Sequence, residues 1–243
     1  MNEKQEQSGI RINKYLSDAG ICSRREADKL IEAGRVFVEG SAAVSGQKIL
    51  PGMIVCVDGK EVAQEEKKVL LLFHKPRGIV CSTKQQRDEM TVTEFLHYPV
   101  RIYPVGRLDK DTEGLLLITD DGALSHALMS PNRHVEKEYE AVVDGALAAD
   151  AVLRFEQGMT LRDGTECKPA KLEILETEPE LRVRVTLKEG KYHQVKRMIA
   201  AVGGTVTALK RLRLGGLWLD KTLAPGEFRE LTQEELEKLT SKT

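Results

Sequence analysis

The chain has 243 residues, enough for one or two domains at ~150 residues apiece, with 41% hydrophobic and 31% charged residues, the balance of an ordinary soluble protein with a real core. A formal net charge of -1 excludes any argument for a polyanionic partner from the total, although a near-neutral sum can hide local asymmetry. The longest apolar run, residues 69–73, falls far short of the ~20 residues that span a bilayer, which excludes a membrane helix.

The opening MNEKQEQSG is polar and mixed in charge with no apolar region behind it, so residues 1–9 are expected to be disordered and not a secretory leader. Cys22, Cys56, Cys81 and Cys167 are scattered, with no C-x-x-C pair. They read as free thiols in a reducing cytosol, and a cytoplasmic protein is expected. His74, Cys81 and His97 form no recognised zinc spacing, so no metal is expected.

A small first domain is expected over residues 10–60. Ile12, Tyr15, Leu16 and Ala19 recur with the period of an amphipathic helix that Gly20 ends. Ser23 and Glu26 have the capping-box form, Ala27, Leu30 and Ile31 supply the buried stripe of a second helix, and Gly34 sits where a left-handed cap belongs. Val36 and Val38 then alternate with Phe37 and Glu39, Gly40 turns the chain, and Leu50-Pro51-Gly52 and Asp58-Gly59 mark further turns between short strands. Residues 61–68, which hold the charged run QEEKK, read as a solvated linker.

Beyond it, residues 69–243 read as a second, larger domain. Strands are expected over residues 69–74, 114–119, 138–143, 171–175 and 181–187, the last alternating apolar and polar positions as a half-buried strand does. Helices are expected over residues 91–97, 124–129, 148–157, 193–202 and 233–239, with capping boxes at Thr91/Glu94 and Thr232/Glu235. The fold class is therefore α+β with many antiparallel neighbours. Trp218 reads as packing on a late strand.

Two regions are basic. Arg11, Lys14, Arg24, Arg25, Lys29 and Arg35 cluster on and around the first two helices, and Arg24/Arg25 occupy an N-terminal turn where the helix dipole disfavours cations. On charge alone this is a solvated face, since Glu26, Asp28 and Glu32 intervene. Between residues 188 and 214, Lys188, Lys191, Lys196, Arg197, Lys210, Arg211 and Arg213 face a single acid, Glu189, and this stretch reads as an RNA-facing patch.

In GRLDKDTEGLLLIT, Asp109 and Asp111 stand two residues apart, about 6–7 Å if extended. That spacing raises a paired-carboxylate hydrolase, but turn chemistry leading into a strand explains it as well. Tyr139 alone would be a cross-strand core aromatic, Lys196 an exposed helix lysine, and His193 a helix cap or phosphate contact.

Longer motifs decide between these readings. RINKYLSDAGICSRREADKLIEAGRVFVEG resembles the S4 RNA-binding domain, a helix-helix-strand module, over residues 10 to about 57. VGRLDKDTEGLLLITDDG resembles the catalytic motif of the pseudouridine synthases, in their RsuA/RluB-type branch. FHKPRGIVCST, SPNRHVEKEYEAVVDG and EGKYHQVKRMIAAVGGTV match in the same order. The resemblance implies a mostly antiparallel catalytic sheet flanked by helices, with a central RNA cleft. It implies that Asp109 is the essential aspartate, that Tyr139 stacks on the target base and that Lys196 pairs with the aspartate. Arg107 would lie beside the flipped-out nucleotide, while His193, Gln194 and Arg197 would contact RNA with the S4-domain cations.

The chemistry suits these types. Turning uridine into pseudouridine breaks the N1–C1′ bond, rotates the uracil and rejoins it through C5. It needs a carboxylate beside the ribose as nucleophile or base, an aromatic face for the detached ring, and extrusion of the nucleotide from its stack. The KYHQVKRM run is most similar to the small-subunit branch. The implied partner is therefore 16S ribosomal RNA within a small-subunit assembly intermediate, acted on by a monomer that needs no cofactor. The same reaction on 23S RNA and a non-catalytic RNA-binding protein stand as alternatives.

Overall fold

A computed structural model describes residues 9–62, 68–82, 88–129 and 135–240. Most of the N-terminal stretch 1–9 and of the linker 61–68 lies outside the described residues. The chain divides into two compact units, Met1–Lys68 with Tyr98–Arg101 and Asp120–Gly122, and the remainder from Val69 to Thr243.

The first unit contains β1 (Ile10–Arg11), α1 (Ile12–Asp18), α2 (Arg24–Glu32), β2 (Val36–Val38), β3 (Ser41–Ala42), β4 (Lys48–Ile49), β5 (Val55–Val57) and β6 (Lys60–Glu61). Ser23 caps α2 through a reciprocal box: its Oγ accepts from Glu26 N at 3.2 Å while its own N–H donates to the Glu26 carboxylate at 2.7 Å. Gly34, at φ +69°, adopts the left-handed turn that ends the helix. Ile12, Leu16, Ala27 and Ile31 from the two helices close on Val36, Val38 and Val55 of the strands. Each such buried Ile, Leu or Val side chain contributes roughly 1.5–3 kcal/mol.

The second unit contains β7 (Leu70–Lys75), α3 (Val92–Leu96), β8 (Tyr103–Val105), β9 (Thr112–Thr119), α4 (Gly122–Met129), β10 (Lys137–Asp144), α5 (Ala151–Gln157), β11 (Met159–Thr160), β12 (Glu166–Cys167), β13 (Lys171–Glu176), β14 (Leu181–Leu187), α6 (Gln194–Ala201), β15 (Thr205–Leu214), β16 (Leu217–Trp218), β17 (Phe228–Glu230) and α7 (Gln233–Thr240). Its main sheet runs β13-β14-β10-β15-β9-β7-β17, with β8 added to β9 and β16 to β15. All described strand pairs in it are antiparallel except β15 with β9. The α+β class with a mostly antiparallel sheet therefore holds. β9 is apolar almost throughout because it is an interior strand: Leu115, Leu116, Leu117 and Ile118 are fully buried, and Leu115 and Leu117 pack with Leu128 of α4 and Leu239 of α7. Helix α6 packs on β15 and α5 on β13.

Three expectations change. The ten-residue strand β15 carries the stretch read from sequence only as basic. The fifth helix starts at Ala151 and not at 148, because Ala148 N–H is taken by the Val202 carbonyl at 2.8 Å. Trp218 is not packed: it is 54% exposed, with the Arg213 guanidinium 5.6 Å from its ring centroid.

Candidate active site

Asp109 lies in the short loop between β8 and β9, and the loop's shape follows from one buried lysine. Lys75, the last residue of β7, pairs in register with Gly114 of β9 and is wholly buried. Its ammonium donates to the carbonyls of Pro76 (2.9 Å), Asp109 (3.2 Å), Lys110 (3.4 Å) and Thr112 (2.9 Å). Burial pushes its pKa down to about 8, against the pull of Cys81, Asp109 and Asp111. With the loop carbonyls gathered inward onto Lys75, the Asp109 side chain is left facing a cleft of about 260 Å³.

Helix α6 supplies the other wall. Lys196, in its first turn, reaches Asp109 Oδ2 at 3.2 Å and Asp111 Oδ1 at 2.6 Å. Partial burial works to lower the Lys196 pKa, but its hydrogen bonds to Asp111 and Asp109 outweigh that and hold it above the ordinary value. The hydrogen bond from Lys196 lowers the pKa of Asp111. His193, at φ +48° ahead of the helix, brings Nε2 to 3.5 Å from Asp109 Oδ1, and its ring stacks on exposed Tyr192 at 3.9 Å. The two aspartates are thus not an extended pair: a turn, closed by Thr112 N–H on the Asp109 carbonyl at 3.1 Å, lets both meet one lysine.

Tyr139 of β10 forms part of the cleft floor, 9% exposed, opposite Val185 of β14 and Arg211 of β15. The cleft therefore brings Asp109, Tyr139, Lys196's partner loop, exposed Arg107 and His193 together, in an order of elements far apart in sequence. The polar residues beside Tyr139 are not simply solvent-facing: Glu138 is 8% exposed and meets Arg184 at 3.3 Å and Arg213 at 3.4 Å.

Other expected RNA contacts turn out to be engaged elsewhere. Gln194 is buried, its amide accepting from Lys191 N–H (2.9 Å) and donating to Glu189 (2.7 Å), so it braces the loop before α6. Arg197 donates to the Tyr192 carbonyl and Thr165 hydroxyl, both at 3.2 Å, and pairs with Asp163. The basic stretch 188–214 is not a bare patch. Arg211 is buried, Arg213 pairs with Glu136 (3.0 Å) and Glu138, Lys210 with Glu113 (3.4 Å), and Lys188 with Glu136 (3.6 Å). Cross-strand acids that a sequence window does not contain neutralise it.

In the first unit, Lys14 pairs with Asp18, and Arg35 holds Asp58 with Nε at 2.7 Å. Arg11, Arg24, Arg25 and Lys29 are exposed and make no ion pair among the described residues. Sequence reasoning missed Lys137 and Arg211 as cleft residues and Lys75 as the anchor of the Asp109 loop; the run HKP in the quoted motif was the available signal for Lys75.

The family described as RNA pseudouridylate synthase matches residues 69–201, and the S4 domain matches residues 10–58. "Ribosomal small subunit pseudouridine synthase A" of Salmonella typhimurium is 42% identical over 93% of this chain and 98% of its own length. An "Uncharacterized RNA pseudouridine synthase" of Bacillus subtilis is 40% identical over 93% and 97%. A solved structure titled "Crystal structure of pseudouridylate synthase" superposes with a TM-score of 0.69 at 36% identity, covering 95% of this chain and all of that one.

Proposed function

The chain belongs to the RNA pseudouridylate synthase family, and on that premise we propose that it isomerises a specific uridine of 16S ribosomal RNA, with Asp109 as the reacting group. The observation that carries the residue assignment is the convergence on Asp109 of Lys196 at 3.2 Å and His193 at 3.5 Å, in a cleft floored by Tyr139. The small-subunit target rests on relatives of that printed name matching nearly end to end.

In this reading the target nucleotide leaves its stack and its base lies on Tyr139, a contact worth roughly 1–3 kcal/mol. Asp109 then attacks C1′ or takes the 2′ proton, and the N1–C1′ bond breaks. The uracil turns on the tyrosine face and its C5 bonds to C1′, displacing the Asp109 carboxylate if that had attacked C1′, or with Asp109 returning the proton to C2′ if it had taken one; the C5 proton leaves and N1 takes one up, so product and substrate are isomers. Lys196 fixes the carboxylate's position, and Arg107, exposed at the cleft, meets the RNA around the extruded nucleotide. The S4 domain (residues 10–60) supplies phosphate contacts through Arg11, Arg24, Arg25 and Lys29, and the catalytic domain spans residues 69–243. We infer a monomeric cytoplasmic enzyme whose substrate is an assembling small subunit.

Pseudouridine mapping across both ribosomal RNAs, in cells with and without the protein, tests this. One lost site in 16S RNA is expected. A lost site in 23S RNA moves the target, and no lost site revives the binding-protein reading. Adding purified protein to naked 16S RNA and to partly assembled subunits then identifies the form it accepts.

A further inference from the structure

Lys75, Lys137 and Arg211 all lie buried about the active-site cleft, at 0%, 8% and 2% exposure. Lys75 is accounted for by four carbonyls. The other two are not. Lys137 Nζ donates to the Val135 carbonyl at 2.6 Å and makes no ion pair among the described residues. Arg211 Nε donates to the Leu115 carbonyl at 2.7 Å, while its buried Nη2 has no hydrogen-bond partner. Both line the cleft with Asp109 and Tyr139. Lys137 stands two residues from Tyr139 on β10 and so shares its face, and Arg211 is paired directly opposite Tyr139 on β15.

A buried cation without a counter-charge costs several kcal/mol, so a fold that keeps two of them in a cleft is arranged for a ligand that brings negative charge. The strain is visible on Lys137, which burial first and Arg211 second push down to about 8 against the weaker pull of Glu189, a carboxylate already engaged by Lys191 and Gln194. The cleft's own carboxylate does not supply the charge, because Asp109 is held by Lys196 and His193. The chemistry proposed above creates an anion on the Tyr139 face. Whether Asp109 acts at C1′ or at the 2′ carbon, breaking N1–C1′ leaves the bonding pair on N1 of the uracil, where the ring spreads it onto O2 and O4.

We propose that Lys137, backed by the field of Arg211, donates a hydrogen bond to a carbonyl oxygen of the detached uracil and holds its negative charge while the ring turns. The inference rests on the pseudouridine synthase reading. A backbone phosphate is the other anion such a pair could take. The position beside Tyr139, on the face where the base lies, favours the ring.

K137M, K137R and wild type are compared in single turnover on saturating, unmodified 16S RNA, with RNA Kd and Tm measured alongside. K137M is expected to slow pseudouridine formation by about 10²–10³-fold, the usual loss for a preorganised donor at developing charge. Its Kd should stay within about threefold, its Tm should be no lower than wild type, and K137R should recover most of the rate. A rate in K137M within about threefold of wild type overturns the proposal. So does a loss confined to Kd, which would assign the lysine to a phosphate. A drop of several degrees in Tm, or a K137R rate as poor as that of K137M, would reduce it to a structural residue. Wild-type protein inactive on both naked 16S RNA and the partly assembled subunit would instead sink the functional reading itself.

Discussion

Asp109 and Asp111 share one lysine, yet their side chains are 29% and 72% exposed, and that difference separates what is expected of their substitution. Asp109→Asn keeps the shape and removes the charge where the cleft needs it. It is predicted to abolish pseudouridine formation while RNA Kd stays within about threefold; retained activity would remove Asp109 from the chemistry. Asp111→Asn breaks only an exposed ion pair, worth at most about 1 kcal/mol. Its rate should therefore remain within about fivefold of wild type. Lys137 gives a second residue-scale prediction, on stability. Its pKa falls from 10.5 in the unfolded chain to about 8 on folding, so between those values the unfolded state binds more protons. Wild-type stability therefore gains from this residue as pH rises through that window, and K137M gains nothing. K137M should be the more stable protein below pH 8, by at most about 3 kcal/mol at 1.36 kcal/mol per unit. Denaturant titrations at pH 7 and pH 10 should show the gap closing; a gap that widens would contradict it.

At the scale of elements, the site depends on three strands meeting at one glycine. Gly114 pairs with Lys75 of β7 on one side and Arg211 of β15 on the other. At φ +112°, a Cβ there would lie 2.3 Å from the Arg211 carbonyl oxygen. Gly114→Ala must part β9 from β15, and a loss of more than about 3 kcal/mol is expected, from strain and broken packing together. Lys75→Met keeps the volume but leaves four loop carbonyls without their shared donor; amide exchange over residues 109–112 should quicken and the rate fall, with β10 and β14 unchanged. This junction also marks where sequence reading stops. Helices α1 and α2, the capping boxes at Ser23, Thr91 and Thr232, and the alternating β14 were legible because period and caps are local. The triad Asp109, Tyr139 and Lys196 came from family motifs, not from spacing, since each residue alone had an ordinary explanation. β15 was not recognised because LKRLRL looks like charge, and its burial depends on β9 and β10, far away in the chain. For the same reason a window of seven cations looked like a patch until Glu113, Glu136, Glu138 and Asp163 were seen beside it.

Over the whole molecule, the net charge of -1 conceals a division of labour between the two units. In the larger one, most cations of the 188–214 stretch are matched by acids or buried, which leaves little free positive charge there. In the smaller one, Arg24, Arg25 and Lys29 stand exposed on α2 without ion pairs among the described residues. The first two occupy the helix's N-terminal turn, where the dipole opposes them and the box between Ser23 and Glu26 holds the helix end in place. The Glu26 carboxylate, whose pKa is lowered by its hydrogen bonds with Ser23, accepts from the Ser23 N–H and completes the box. Removing the three cations should therefore leave the fold intact. If each contacts one phosphate, each adds roughly 0.7–0.9 to the slope of log K against log salt. The triple variant R24A/R25A/K29A is predicted to bind 16S RNA more weakly at low salt and to flatten that slope by about 2–3. Its rate on saturating RNA should stay within about threefold of wild type, because nothing in the cleft has changed. Kd measured across a salt series checks both parts. An unchanged slope would mean that the S4 domain grips RNA without these residues, and a collapsed rate at saturation would mean that it positions the substrate as well as holding it.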